Sequence, residues 1–114
     1  MRSMTRKKVR FPIYYGTTQD ILNANYTTNL SLGGLFMETD NIRRVNSTIL
    51  VNFRLPGDAE VIVCNARVAW TNEPGQLKKF TTHHGMGLQF LDLSPEHFHA
   101  IRNFLDNGDL RSIE

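Results

Sequence analysis

Two alternating apolar runs joined by a turn constrain the fold of this chain more than any other feature. Within residues 48–55 and again within residues 60–71, apolar side chains occupy every second position. Pro56-Gly57-Asp58 lies between the runs and is typical of a tight turn. A period of two places alternate side chains on one face of a strand. The pattern therefore predicts an antiparallel hairpin with one buried face.

Four more segments read as strands, at residues 11–17, 21–30, 35–39 and 85–91. In the second of these, Tyr26 and Leu30 are expected on one face, whereas Thr27 and Asn29 share a polar face that meets solvent or ligand. In the strand at 60–71, parity with the apolar positions predicts that Trp70 points into the core.

A single helix is predicted after the last strand. Ser94 can cap free backbone N–H groups, and Pro95 suits the first helical turn. Phe98, Ile101 and Leu105 then follow at helical spacing, so that one stripe packs on the sheet. Asn107-Gly108 is a typical stop. Six short strands and one terminal helix predict a β-dominated fold, a six-stranded antiparallel barrel with a C-terminal α-helix.

Length and composition agree with one domain over residues 1–114. We expect a flexible basic arm at 1–10, a barrel at 11–93 and a helix at 94–107. The 40% of hydrophobic residues is too little for a membrane protein, and no apolar run is long enough to span a bilayer or to act as a secretory signal. Cys64 is the only cysteine, which excludes an internal disulfide and favours a cytoplasmic location.

The net charge of +2 is unevenly distributed. Residues 1–10 carry no acid and five bases, namely Arg2, Arg6, Lys7, Lys8 and Arg10. The rest of the chain carries eight basic and eleven acidic side chains. A basic arm on a mildly acidic body indicates an anionic partner such as a nucleotide, a nucleic acid or an anionic lipid.

Catalysis and metal binding have little support in the sequence. Neighbours in a strand, such as His83 and His84, point to opposite faces, and His97 and His99 diverge on a helix. Cys64 has inward parity and is expected to pack as a small apolar side chain. We therefore expect no enzyme activity, no metal and no cofactor.

Two short motifs carry a family resemblance. The first is Arg-x-x-x-Arg at Arg6 and Arg10, and the second is Asn-x-Ser-x-x-Gly at Asn29, Ser31 and Gly34. In this order, and followed by the glycine-rich strand that begins at residue 85, they resemble the signature of PilZ domains, bacterial receptors for cyclic di-GMP. The resemblance covers roughly residues 5–105 and implies the same barrel fold.

The resemblance also implies a binding site and the roles of its residues. In the family both arginines grip guanine and phosphate, the Asp or Asn and the Ser of the second motif hold a guanine, and the last glycine keeps the turn. We add Lys7 for phosphate attraction and Gly33 for close approach of the ligand to the backbone. The expected ligand-binding residues are thus Arg6, Lys7, Arg10, Asn29, Ser31, Gly33 and Gly34.

Residue chemistry agrees with these roles. An arginine fork can meet guanine O6 and N7 together, which the point charge of lysine does poorly. Asn29 stands where many members have Asp, which removes one charge-assisted bond to guanine. Thr5, before the first arginine, leaves open whether one or two ligand molecules bind.

The resulting hypothesis is a signalling switch that we expect to act without an output domain of its own. Cyclic di-GMP would order a mobile arm against the barrel, and a protein partner acting in trans would read the new surface. One alternative is a ligand-independent interaction module of pilus or motility machinery. Another, ranked last, is a small barrel that binds single-stranded nucleic acid.

Overall fold

The polypeptide forms a closed barrel of six strands followed by one helix, in a computed structural model that describes residues 6–17, 20–73 and 84–113. The elements are β1 (Arg6–Thr17), β2 (Asp20–Ser31), β3 (Gly34–Glu38), β4 (Thr48–Phe53), β5 (Ile62–Asn72), β6 (Gly85–Phe90) and α1 (Pro95–Ile113). Neighbouring strands follow the order β1-β2-β3-β6-β5-β4, and each pair is antiparallel. The predicted fold class is confirmed.

Alternating apolar side chains fill the barrel, as the period of two predicts. The strand residues of this core are Phe11, Ile13, Tyr15, Leu30, Leu35, Met37, Ile49, Val51, Phe53, Ile62, Cys64, Ala66, Val68, Met86 and Leu88. The helix α1 adds Ile101 and Leu105 to the same cluster. In the part of the chain that the structure describes, no helix has the length and apolar character needed to cross a bilayer.

The hairpin of β4 and β5 has the predicted turn. Gly57 adopts a positive φ of 84°, which glycine tolerates best. The backbone N–H of Asp58 donates to Leu55 O at 3.0 Å, and the Asp58 carboxylate accepts from the N–H of Glu60 at 3.0 Å. These bonds reverse the chain and fix the register of the two strands.

The helix begins where the sequence predicts and ends later. The Ser94 hydroxyl accepts a hydrogen bond from the N–H of His97 at 3.1 Å, which satisfies one free donor of the first turn. The expected stop at Asn107-Gly108 is wrong, because α1 continues to Ile113. A glycine inside a helix costs only about 1 kcal/mol relative to alanine, so it does not by itself end a helix.

Residues 6–10 correct the predicted basic arm. They form the start of β1, where residues 6–8 pair with the end of β2 and residues 9 and 10 lie in a bulge, so the boundary of the arm at residue 10 is wrong. Long β2 supplies a partner strand that satisfies the backbone groups of these residues, whereas their own sequence shows no clear alternation. The rest of the predicted arm, residues 1–5, lies outside the described residues.

Register shifts accumulate where β1, β2 and β3 lie side by side. Lys8, Asn29 and Phe36 lie side by side on the three strands, and so do Phe11, Thr27 and Met37. Between these two rows, β1 has two intervening residues, β2 has one and β3 has none. Such bulges increase the local twist and change which side chains face outward.

The bulge in β2 reverses the predicted faces of Tyr26 and Thr27, on one side of the bulge. Thr27 and Leu30 are both fully buried, whereas Tyr26 is exposed. The prediction that Thr27 shares an outward face with Asn29 is therefore wrong. The Thr27 hydroxyl is buried in the barrel and can donate its hydrogen bond to either of two backbone carbonyl oxygens. These are Phe36 O at 2.7 Å and Asn29 O at 3.1 Å.

Candidate functional site

The two sequence motifs meet on adjacent strands. In the antiparallel register of β1 and β2, Arg6 lies opposite Ser31 and Lys8 lies opposite Asn29. Residues separated by more than twenty positions in the sequence are thus neighbours on one wall of the barrel. For Arg6, the structure describes only the position of the backbone, which lies in β1. Lys7, opposite Leu30, and Asn29 are both half-buried.

A row of residues continues from this pair across the sheet. Asn29 pairs with Phe36 on β3, Phe36 with Gly87 on β6, and Gly87 with Trp70 on β5. Register partners share a face of the sheet, so these residues extend the wall that starts at Lys8 and Asn29.

Trp70 lies on the outer face of the barrel, contrary to the inward position that parity predicts. One extra residue in β5, between Val68 and Trp70, shifts the register with β6 and turns the indole outward. The ring stacks on Phe36 with a centroid distance of 5.3 Å and remains 37% exposed. It also covers Gly87, where an added Cβ would lie 2.1 Å from the indole Nε1.

A groove of about 210 Å³ lies beside Trp70 and reaches the turn between β2 and β3. Its walls include Ser31, Gly33, Gly34, Trp70, Gly87 and Gln89. The groove joins an aromatic face to the second motif. Periodicity could not reveal the groove, because the register shift that turns Trp70 outward depends on how β5 pairs with β6.

The Ser31 hydroxyl is engaged inside the turn. It is within hydrogen-bond distance of the Gly33 N–H, from which it accepts, and of the Gly34 carbonyl, to which it donates, both at 3.3 Å. Ser31 is only 4% exposed. Its hydroxyl thus shapes the turn that borders the groove, in addition to any contact with a ligand.

Gly34 is required by the packing of two strands. A Cβ at this position would lie 1.9 Å from Leu88 O, on the neighbouring strand β6. The carbonyl of Gly33 accepts a hydrogen bond from the Phe90 N–H at 2.9 Å, which ties the turn to the same strand. The backbone that comes close to Gly34 is therefore that of β6.

Arg10 has two partners that the sequence analysis did not identify. Its Nη1 donates to both carboxylate oxygens of Glu38, at 3.1 Å each. Its Cζ lies 4.3 Å from the centre of the Tyr26 ring, in cation–π geometry. No sequence signal links these residues, because they lie on three different strands.

Arg67 contacts Gln89, which forms part of the wall of the groove. Arg67 Nε and Nη2 donate to Gln89 Oε1 at 3.1 and 2.8 Å, and Nη1 donates to Asn46 Oδ1 at 2.7 Å. Arg67, which lies outside both sequence motifs, thereby orients Gln89. Because arginine only donates, the oxygen of the Gln89 amide faces Arg67 and its NH2 group is directed elsewhere.

The described titratable groups include no cluster that could hold a metal ion. Within residues 6–17, 20–73 and 84–113, no three His, Cys, Asp or Glu side chains come together. His84 lies 3.4 Å from Asp40, and His83 falls outside the described residues. Burial, together with the nearby charge of Asp92, raises the pKa of Cys64 to about 12, so the thiol stays protonated at neutral pH.

Comparisons with known proteins agree with this architecture. Residues 2–107 match the sequence model of the PilZ domain. The Bacillus subtilis inhibitor of motility MotI (DgrA) superposes with a TM-score of 0.78 at 16% identity, over 97% of this chain and 52% of that protein. Escherichia coli YcgR, solved in complex with cyclic di-GMP, gives a TM-score of 0.68 at 18% identity, over 97% and 47%. This chain thus spans about half the length of each. None of the curated proteins compared with it matches.

Proposed function

Because the chain belongs to the PilZ domain family, we propose that it is a receptor for cyclic di-GMP that binds this dinucleotide on the outer wall formed by β1, β2 and β3. The residues proposed to contact or shape the site are Arg6, Lys7, Arg10, Asn29, Ser31, Gly33 and Gly34. The observation that carries the proposal is the pairing of Arg6 with Ser31 and of Lys8 with Asn29.

The chemistry of the wall suits a dianionic ligand with two planar bases. Lys8 and Arg10 are exposed on β1 and offer positive charge to the phosphates. A guanidinium fork suits guanine O6 and N7, and Asn29 can donate to or accept from a base edge. The groove beside Trp70 offers an exposed aromatic face against which one guanine can stack.

The proposed switch differs from the expected ordering of an arm. Residues 6–10 already belong to β1, and residues 6–8 are paired with β2, so the entropy cost of ordering their backbone, roughly 1–2 kcal/mol per residue, is met when the protein folds. Cyclic di-GMP would instead rearrange side chains on a formed strand. We propose that a protein partner reads the resulting surface in trans.

Isothermal titration calorimetry with cyclic di-GMP, GTP and a single-stranded oligonucleotide tests the proposal. We expect saturable binding of cyclic di-GMP and much weaker binding of GTP, which offers only one guanine. Absence of binding by well-folded protein refutes the proposal and favours the ligand-independent interaction module. Tight oligonucleotide binding with a steep salt dependence would favour the nucleic-acid reading.

The Arg10→Ala variant tests the site itself. One bidentate arginine–guanine contact corresponds to roughly 1–3 kcal/mol, so we expect the affinity of this variant for cyclic di-GMP to fall by roughly five- to 150-fold. The ion pair with Glu38 is open to solvent on its arginine side and contributes about 1 kcal/mol, so the melting temperature of the ligand-free protein should fall by only about 4 °C. Arg102→Ala, on the exposed side of α1, is the matched control and should bind normally. Equal affinity of both variants would remove Arg10 from the site.

A further inference from the structure

Glu38 holds one of the proposed ligand-binding arginines in a defined position. Both carboxylate oxygens of Glu38 lie 3.1 Å from Arg10 Nη1, and the guanidinium stacks over the Tyr26 ring. The Glu38 side chain is only 17% exposed, whereas that of Arg10 is 57% exposed. A carboxylate that is largely shielded from water therefore faces a guanidinium that a ligand can reach.

The position of Glu38 directs Arg10 away from the second motif. Glu38 is the register partner of Tyr26 on β2, whereas the level of Asn29 and Phe36 lies two residues nearer the turn on β3, or about 7 Å along the strand. The Arg10 side chain crosses β2 at the Tyr26 level. Contact with a ligand seated at Asn29 and Ser31 requires the guanidinium to leave Glu38 and swing toward the turn.

We propose that Glu38 is an affinity-determining residue, which lowers the affinity for cyclic di-GMP by holding Arg10 in a position that does not contact the ligand. Binding then exchanges one anion for another, because the carboxylate loses Arg10 and the ligand gains it. This inference rests on the proposed function, since it assumes cyclic di-GMP as the ligand. It assigns Glu38, outside both motifs, the role of setting the ligand concentration at which the receptor responds.

Two substitutions of Glu38 separate this role from simple charge repulsion. Glu38→Gln removes the charge, whereas Glu38→Asp keeps the charge on a side chain one methylene shorter, which cannot make the same contact with Arg10. Both variants should bind cyclic di-GMP more tightly, by roughly two- to fivefold, the range that corresponds to an exposed ion pair. Asp106→Asn changes the net charge equally on the exposed side of α1 and should bind like the wild type.

The outcomes are distinct in calorimetry on variants with an unchanged melting profile. Tighter binding by Glu38→Gln alone, with Glu38→Asp equal to the wild type, would show repulsion and overturn the inference. Weaker or unchanged binding by Glu38→Gln would also overturn it, while the proposed function stands. If neither the wild type nor either Glu38 variant binds cyclic di-GMP, the proposed function itself fails.

A spectroscopic readout follows the exchange directly. In 15N-labelled protein, the Arg10 Nε–Hε resonance, assigned by its loss in Arg10→Ala, should shift on ligand addition. The Glu38→Gln substitution should shift the same resonance in the absence of ligand. A resonance that is insensitive to Glu38→Gln would show that the carboxylate does not hold Arg10 in solution.

Discussion

The same substitution at two glycines should have very different effects, because different groups occupy the space that a new methyl group needs. At Gly34 the Cβ would lie 1.9 Å from Leu88 O, a backbone atom of β6. At Gly87 it would lie 2.1 Å from Nε1 of Trp70, an exposed side chain. A backbone oxygen inside a closed barrel can move only if the strand moves, whereas an exposed side chain can rotate.

The free energies of unfolding follow from these contacts. In Gly34→Ala, β3 and β6 must separate by more than 1 Å, beyond the range of normal hydrogen bonds, which adds overpacking of about 1–3 kcal/mol to the loss of one or two ladder bonds near 1 kcal/mol each. We expect a loss of about 3 kcal/mol. With an entropy of unfolding near 2.1 cal/mol/K per residue, this lowers the melting temperature by about 12 °C. In Gly87→Ala, loss of the Phe36–Trp70 stack removes only about 1 kcal/mol.

Thermal unfolding followed by circular dichroism measures both effects. Trp70 is the only tryptophan, so its emission should move to longer wavelength in folded Gly87→Ala, as the indole leaves Phe36. A melting temperature of Gly34→Ala within about 4 °C of the wild type, equivalent to about 1 kcal/mol, would refute the argument that backbone contact between β3 and β6 makes this glycine necessary.

Three further predictions concern residues outside the proposed site. Hydrogen bonds from the Asn65 side-chain amide and backbone N–H hold the pKa of Asp92 below its usual range, so its contribution to stability is complete above about pH 5 and is lost as the pH falls through the lowered pKa. The melting temperatures of the wild type and Asp92→Asn should therefore differ at pH 7 and converge as the pH falls through that lowered pKa. Because its pKa is about 12, Cys64 should react with iodoacetamide at pH 8 on the order of 10³-fold more slowly in the folded protein than in urea, and equal rates would contradict its burial. Ser94→Ala should lower the free energy of unfolding by about 1 kcal/mol in urea titrations while Ser94→Asp retains stability, and equal loss in both variants would argue against the cap.

The sequence by itself determined the elements that depend on local patterns. Alternation marks β4, β5 and β6 to within one or two residues, and Pro56-Gly57-Asp58 marks the hairpin turn. Ser94 and Pro95 mark the start of the helix for the same reason, because capping involves atoms only three residues apart. The two motifs likewise identified the family, since each is contiguous in the chain.

Only the tertiary structure decided which side chains share the wall of the barrel. The bulges next to Thr27 and Trp70 arise from matching one strand to its neighbours, and each reverses the face that a regular strand would present. Residues 6–10 form a strand because β2 offers a partner, and Arg10 meets Glu38 because two strand pairings bring together residues that are 28 positions apart. Local spacing carries no information about register between distant segments, and it is this register that assembles the site.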